Sequence, residues 1–108
     1  MDIVALQARL RAFAAERDWQ LFHTPKNLST ALLVEAAELA EPFQWLTPEQ
    51  SKTACQEAGM HTRVADEVAD VLVYLVQLAD QCGIDIEAAV AAKLVKNAIK
   101  YPPLQPRG

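Results

Sequence analysis

TRVADEVADVLVYLVQLADQC, residues 62–82, is the longest segment of this chain that reads as one unbroken helix. Val64, Val68, Val71, Leu75, Leu78 and Cys82 recur at helical intervals along one side, and Ala65, Ala69, Val73 and Val76 line the other. A helix apolar on both sides belongs at the centre of a bundle or at a subunit interface. A chain of 108 residues has little material to cover both faces. The expected fold is therefore all-α, a helical bundle of four main helices plus a short connector helix, completed by homo-oligomerisation, since homodimers are the commonest assemblies.

Gly83 stops this helix, and Asp85 is placed to cap the next, which extends to about Lys100 before Tyr101-Pro-Pro closes the domain. The last few residues are expected to fray. Upstream, Thr47-Pro-Glu-Gln50 has the form of a capping box with proline in the first helical position, opening a short, mobile connector that ends before Gly59. The second main helix is expected to begin near residues 27–29 and to run to about Glu41, where Pro42 disturbs it, leaving a remnant over residues 43–46. Residues 19–27 break the helical period and read as an ordered loop. Before them Ile3, Leu6, Leu10, Phe13 and Ala14 mark an amphipathic first helix ending near Asp18. All of it reads as a single domain, residues 1–108.

Four acids interrupt this apolar pattern. Leu28, Leu32 and Leu39 form the stripe of the second helix, and Glu35 stands where another leucine is expected, with Glu38 one turn on. In the quoted segment Glu67 borders Val64 and Val71, and Asp70 follows at the same spacing. A lone E-x-x-E is usually a solvated helix face. Two equal pairs beside two apolar stripes are less easily dismissed, because an unpaired carboxylate in such a setting costs several kcal/mol or takes up a proton. If the two helices are antiparallel neighbours, the pairs face each other and offer oxygen ligands only, which suits Mg²⁺ or Mn²⁺ over zinc. Facing carboxylates also hold di-iron centres, but those require Glu-x-x-His, and neither His23 nor His61 stands three residues after a glutamate.

The last helix carries the complementary charge. Lys93, Asn97 and Tyr101 follow at four-residue steps, with Lys96 and Lys100 nearby. Lysines late in a helix commonly meet its dipole, whereas Asn97 on an apolar stripe needs a partner, and a phosphate or ribose oxygen is one candidate. Trp19, His23, Trp45 and Tyr74 are candidates for a ligand pocket, although aromatic groups more often serve as core anchors. Tyr74, four residues after Asp70, belongs on the carboxylate face.

Composition narrows the rest. A formal charge of -4, with 10 basic and 14 acidic side chains, argues against a nucleic-acid polymer as partner. Cys55 and Cys82 form no metal-binding pattern and suit a reducing cytosol. Neither a signal peptide nor a membrane span is expected, so the chain reads as soluble and cytoplasmic. Three glycines cannot supply a P-loop or a dinucleotide fingerprint, so phosphate would be held through metal and side chains.

Taken together, residues 19–28 (WQLFHTPKNL), 33–45 (LVEAAELAEPFQW), 66–80 (DEVADVLVYLVQLAD) and 93–102 (KLVKNAIKYP) resemble the MazG-like nucleotide pyrophosphohydrolases of the all-α NTP pyrophosphatase superfamily, in particular the dCTP pyrophosphatase type. The resemblance covers most of the chain outside the first helix and the connector. It implies Mg²⁺ held by Glu35, Glu38, Glu67 and Asp70, and hydrolysis of a (d)NTP at the α-phosphorus to monophosphate and pyrophosphate. It implies phosphate contacts from Lys93, Lys96 or Asn97, a base pocket of His23, Trp45 and Tyr74 with help from Trp19, and a homodimer or a tetramer built from two dimers. Pro42 departs from the pattern and bears on where Trp45 sits. Two rival readings are a helical interaction module without metal dependence and a nucleotide-binding regulator with little turnover.

Overall fold

Asp2, Thr24, Thr47, Glu57 and Asp85 each accept a backbone N–H of the turn that follows, and each opens a helix. The computed structural model describes residues 1–105, so the expected fraying falls partly on residues 106–108, outside the described part. Its elements are α1 (Ile3–Glu16), α2 (Pro25–Ala40), a 3₁₀ turn (Glu41–Phe43), α3 (Pro48–Ala54), α4 (Ala58–Gln81) and α5 (Ile86–Lys100), with no strand among the described residues. The class is all-α, with four main helices and one short connector helix.

Two helix starts lie earlier than the sequence suggested. α2 begins at Pro25 because the Thr24 hydroxyl accepts from Asn27 N–H at 3.3 Å and proline is preorganised for the first helical position. Asn27, expected as a cap, instead donates through its side chain to Phe22 O at 2.9 Å and secures the preceding loop. α4 begins at Ala58, not near Thr62. The Glu57 carboxylate accepts from Gly59 and Met60 N–H, both at 2.8 Å, so the glycine read as a break lies inside the first turn.

α1 and α4 end alike. The chain turns left-handed at Asp18 (φ 55°) and at Gly83 (φ 65°). In each case the next N–H reaches back five residues, Trp19 to Ala14 O and Ile84 to Ala79 O, both 2.9 Å, the Schellman pattern. At Gly83 a Cβ would meet nothing within 4 Å, so any penalty there is backbone strain alone. Gly83→Ala is expected to lower stability by about 1–2 kcal/mol, read as an earlier thermal unfolding midpoint. An unchanged midpoint would refute that reading of the turn.

The fully buried side chains are Leu28 and Val76, joined by Ala14, Ala79 and Pro42. They place the core where α2, α4 and α1 meet. Gln7 donates to Val76 O (3.3 Å) and Arg11 to Asp80 Oδ1 (2.7 Å), so α1 runs parallel to α4 at a constant offset. The face of α4 that enters this core is the Val76–Ala79 side. The other expected stripe leaves Val68, Leu75 and Cys82 exposed.

α5 packs sparsely on the rest, and Val90, Leu94, Val95 and Ile99 stay exposed. The radius of gyration is 17.8 Å, against about 13 Å for a compact chain of this length. Much apolar surface thus remains uncovered in one chain. No described helix is long and apolar enough to cross a membrane.

Candidate carboxylate metal centre

Glu35 lies two turns after the buried Leu28 on the same side of α2, since seven residues return a helix to nearly the same face. Packing Leu28 inward therefore carries Glu35 inward as well. Across from it, α4 presents Glu67. The two helices are antiparallel, because Leu28 neighbours the Gln77–Gln81 end of α4 around one cavity while Glu35 and Glu38 meet Glu67. One carboxylate oxygen from each of Glu35, Glu38 and Glu67 lies within 4.8 Å of the others, and all three residues are half-buried.

Such a cluster is electrostatically unfavourable when empty. Oε2 of Glu35 and Oε2 of Glu67 are buried and have no hydrogen-bond partner among the described residues. Desolvation, then the charges of Glu38 and Asp70, push the pKa of Glu35 from 4.5 up to about 7. Two orphaned buried oxygens and an all-oxygen donor set fit a hard divalent cation such as Mg²⁺ or Mn²⁺.

The other candidate residues are gathered unevenly. Asp70 is exposed and stands outside the close trio, although its charge reaches Glu35. Trp19 and His23 form a tilted pair with ring centroids 6.4 Å apart, and Phe13 meets Trp19 edge-on at 5.7 Å. Tyr74 is half-buried on the carboxylate face of α4, whereas Trp45, past the 3₁₀ turn that contains Pro42, is 88% exposed. Lys93, Lys96 and Tyr101 are exposed on α5 and Asn97 is half-buried; no hydrogen bond or ion pair among the described residues joins them to the carboxylates.

His23 also borders a cavity of about 180 Å³ whose other polar lining residues, Gln7, Arg11, Gln20, Gln77, Asp80 and Gln81, were not singled out in the sequence. A signal for Gln77 and Gln81, though not for Asp80, was present. Glu67, Asp70, Tyr74, Gln77 and Gln81 follow at alternating three- and four-residue steps, one continuous stripe of which only the first half was noticed.

Fold and cluster together define an all-α protein with facing glutamates on two antiparallel helices. The sequence matches the MazG-like family over residues 31–106, and the chain belongs to that family. It is 44% identical over 107 residues to dCTP pyrophosphatase 1 of Bos taurus, covering 99% of this chain and 62% of that protein. It is 45% identical over 101 residues to dCTP pyrophosphatase 1 of Homo sapiens, covering 94% and 58%. The chain thus spans about three fifths of the length of these curated relatives. A crystal structure of a pyrophosphatase from Archaeoglobus fulgidus superposes with a TM-score of 0.87 at 38% identity, covering 95% of this chain and 94% of the other.

Proposed function

We propose that this chain is a divalent-cation-dependent nucleoside triphosphate pyrophosphohydrolase that takes dCTP or a modified dCTP and releases the monophosphate and pyrophosphate. The observation that carries the reading is the Glu35, Glu38 and Glu67 cluster with its two unpartnered buried oxygens, in a chain whose relatives bear the name dCTP pyrophosphatase. Glu35, Glu38, Glu67 and Asp70 would hold Mg²⁺ or Mn²⁺, which supplies charge neutralisation on the phosphoryl oxygens and acidifies water.

The remaining chemistry belongs to the chain. Lys93, Lys96 and Asn97 orient the phosphates, while Trp19, His23, Trp45, Tyr74 and Tyr101 line the nucleoside end. Water attacks the α-phosphorus and pyrophosphate departs. The attacking water's proton passes to a carboxylate of the cluster acting as general base. A second copy of the chain covers the apolar surface of α5 and the exposed side of α4, giving a dimer or a pair of dimers. Light scattering on the purified protein tests this, and a monomer at all concentrations would overturn it.

The activity test is direct. The protein is incubated with canonical and modified dNTPs and NTPs in Mg²⁺ or in EDTA, and pyrophosphate and monophosphate are measured. Both products are expected from dCTP with Mg²⁺ and neither in EDTA. Release of orthophosphate alone would instead place the cut at the γ-phosphorus. Asp70→Asn is expected to lower kcat by on the order of a hundred-fold with the helical circular dichroism unchanged; full activity would remove Asp70 from the site.

A further inference from the structure

The carboxylate face of α4 does not end at Tyr74. It continues through Gln77 and Gln81 into the cavity of about 180 Å³ between α1, α4 and the start of α2. Gln77 lies seven residues past Asp70, and Leu28 lies seven before Glu35, so on both helices the cavity sits about 10 Å along the axis from the acids. That is the reach of a nucleoside from its 5′-phosphate to its base. The cavity is smaller than the roughly 300 Å³ at which drug-sized pockets begin, which suits one heterocycle and not a whole nucleotide.

Its polar lining has a defined donor and acceptor character. Asp80 Oδ1 takes the Arg11 Nη1–H at 2.7 Å, and the other Asp80 oxygen has no protein partner among the described residues. Asp80 is the more buried member of that pair, 17% exposed against 57% for Arg11. A carboxylate only accepts and a guanidinium only donates. The Gln77 amide, which makes no hydrogen bond to the protein among the described residues, can donate beside them.

We propose that Asp80, with Arg11 and Gln77, reads the base of the substrate and selects cytosine over uracil and thymine. The assignment rests on the dCTP reading given above. Cytosine offers an exocyclic amino donor next to two acceptors, the complement of one carboxylate and two donors. Uracil and thymine put a carbonyl oxygen where cytosine has the amino group, and that oxygen would face Asp80 with no proton between them. Arg11 holds Asp80 in place and lends its remaining N–H groups to the acceptor side of the ring.

The test compares kcat/KM for dCTP and dUTP in Mg²⁺ for the wild type, Asp80→Asn and Gln77→Leu, with circular dichroism confirming the fold of each. The wild type is expected to favour dCTP. Asp80→Asn, whose amide can donate to a carbonyl, is expected to lower the dCTP to dUTP ratio by about ten- to a hundred-fold while still turning over dUTP. Gln77→Leu is expected to lower the ratio by about ten-fold and carries the test if Asp80→Asn fails to fold. A ratio unchanged within three-fold in the folded variants overturns the assignment. Thermal shifts with dCMP and dUMP separate this outcome from failure of the hydrolase reading. If the wild type cleaves no nucleotide, the proposed activity falls, and base selection stands only if dCMP still stabilises the wild type more than dUMP and Asp80→Asn removes the difference.

Discussion

Glu35→Gln is expected to abolish pyrophosphate release, by on the order of a thousand-fold or more, while the folded chain in EDTA becomes more stable than the wild type at pH 8. The two effects share one cause. In the wild type an inward carboxylate is kept beside Glu38, Glu67 and the charge of Asp70 at the expense of the metal-free fold, because at pH 8 Glu35 is largely unprotonated and the repulsion is not relieved. Glutamine keeps the shape and removes the charge, so the fold gains what the metal centre loses. Turnover with dCTP and thermal unfolding in EDTA measure the two sides. Retained turnover would take Glu35 out of the centre. A large loss of stability would show that its carboxylate is instead a satisfied structural group.

The second expectation concerns pH and metal together. Burial and the neighbouring acids raise Glu35 from 4.5 to about 7, so between these values the folded chain holds a proton that the unfolded chain gives up. Stability linked to this proton is fully present below pH 4.5 and is lost as pH rises through about 7. In EDTA, the wild type should therefore lose stability relative to Glu35→Gln as pH rises from 5 to 8. A divalent ion competes with the same proton, so its affinity should rise over that range. Mg²⁺ is then expected to raise the wild-type unfolding midpoint far more at pH 8 than at pH 5, and Glu35→Gln little at either. An equal Mg²⁺ effect at both pH values would mean that the ion binds away from this cluster.

Much of the architecture was legible along the chain because its signals are local. Thr47 and Asp85 cap helices where their side chains reach the next turn, and Gly83 ends α4 because it takes φ 65° without strain. The starts of α2 and α4 were harder to place. Thr24 before Pro25 and Glu57 before Gly59 are caps whose use depends on which neighbouring residue captures the orphan N–H groups, and several candidates compete within a few residues. Asp18 adopts the left-handed turn that glycine more often fills; aspartate is one of the few other residues that enter it, but its side chain is a weaker signal than a glycine.

For the candidate site the division is similar. The pairs Glu35 with Glu38 and Glu67 with Asp70 stood out because acids on apolar stripes break a helical period, and a period is a property of sequence alone. Their assignment to the all-α family was likewise carried by short motifs in order. What only the tertiary structure decided is which residues meet across helices. It brought Glu35 and Glu38 to Glu67, left Asp70 at the rim and Trp45 in solvent, and joined Arg11 to Asp80 beside a cavity. Periodicity fixes the face on which a side chain lies, but the axial offset and direction of packed helices come from how Leu28, Val76, Ala14 and Ala79 interlock, and that fit is set by shape in three dimensions.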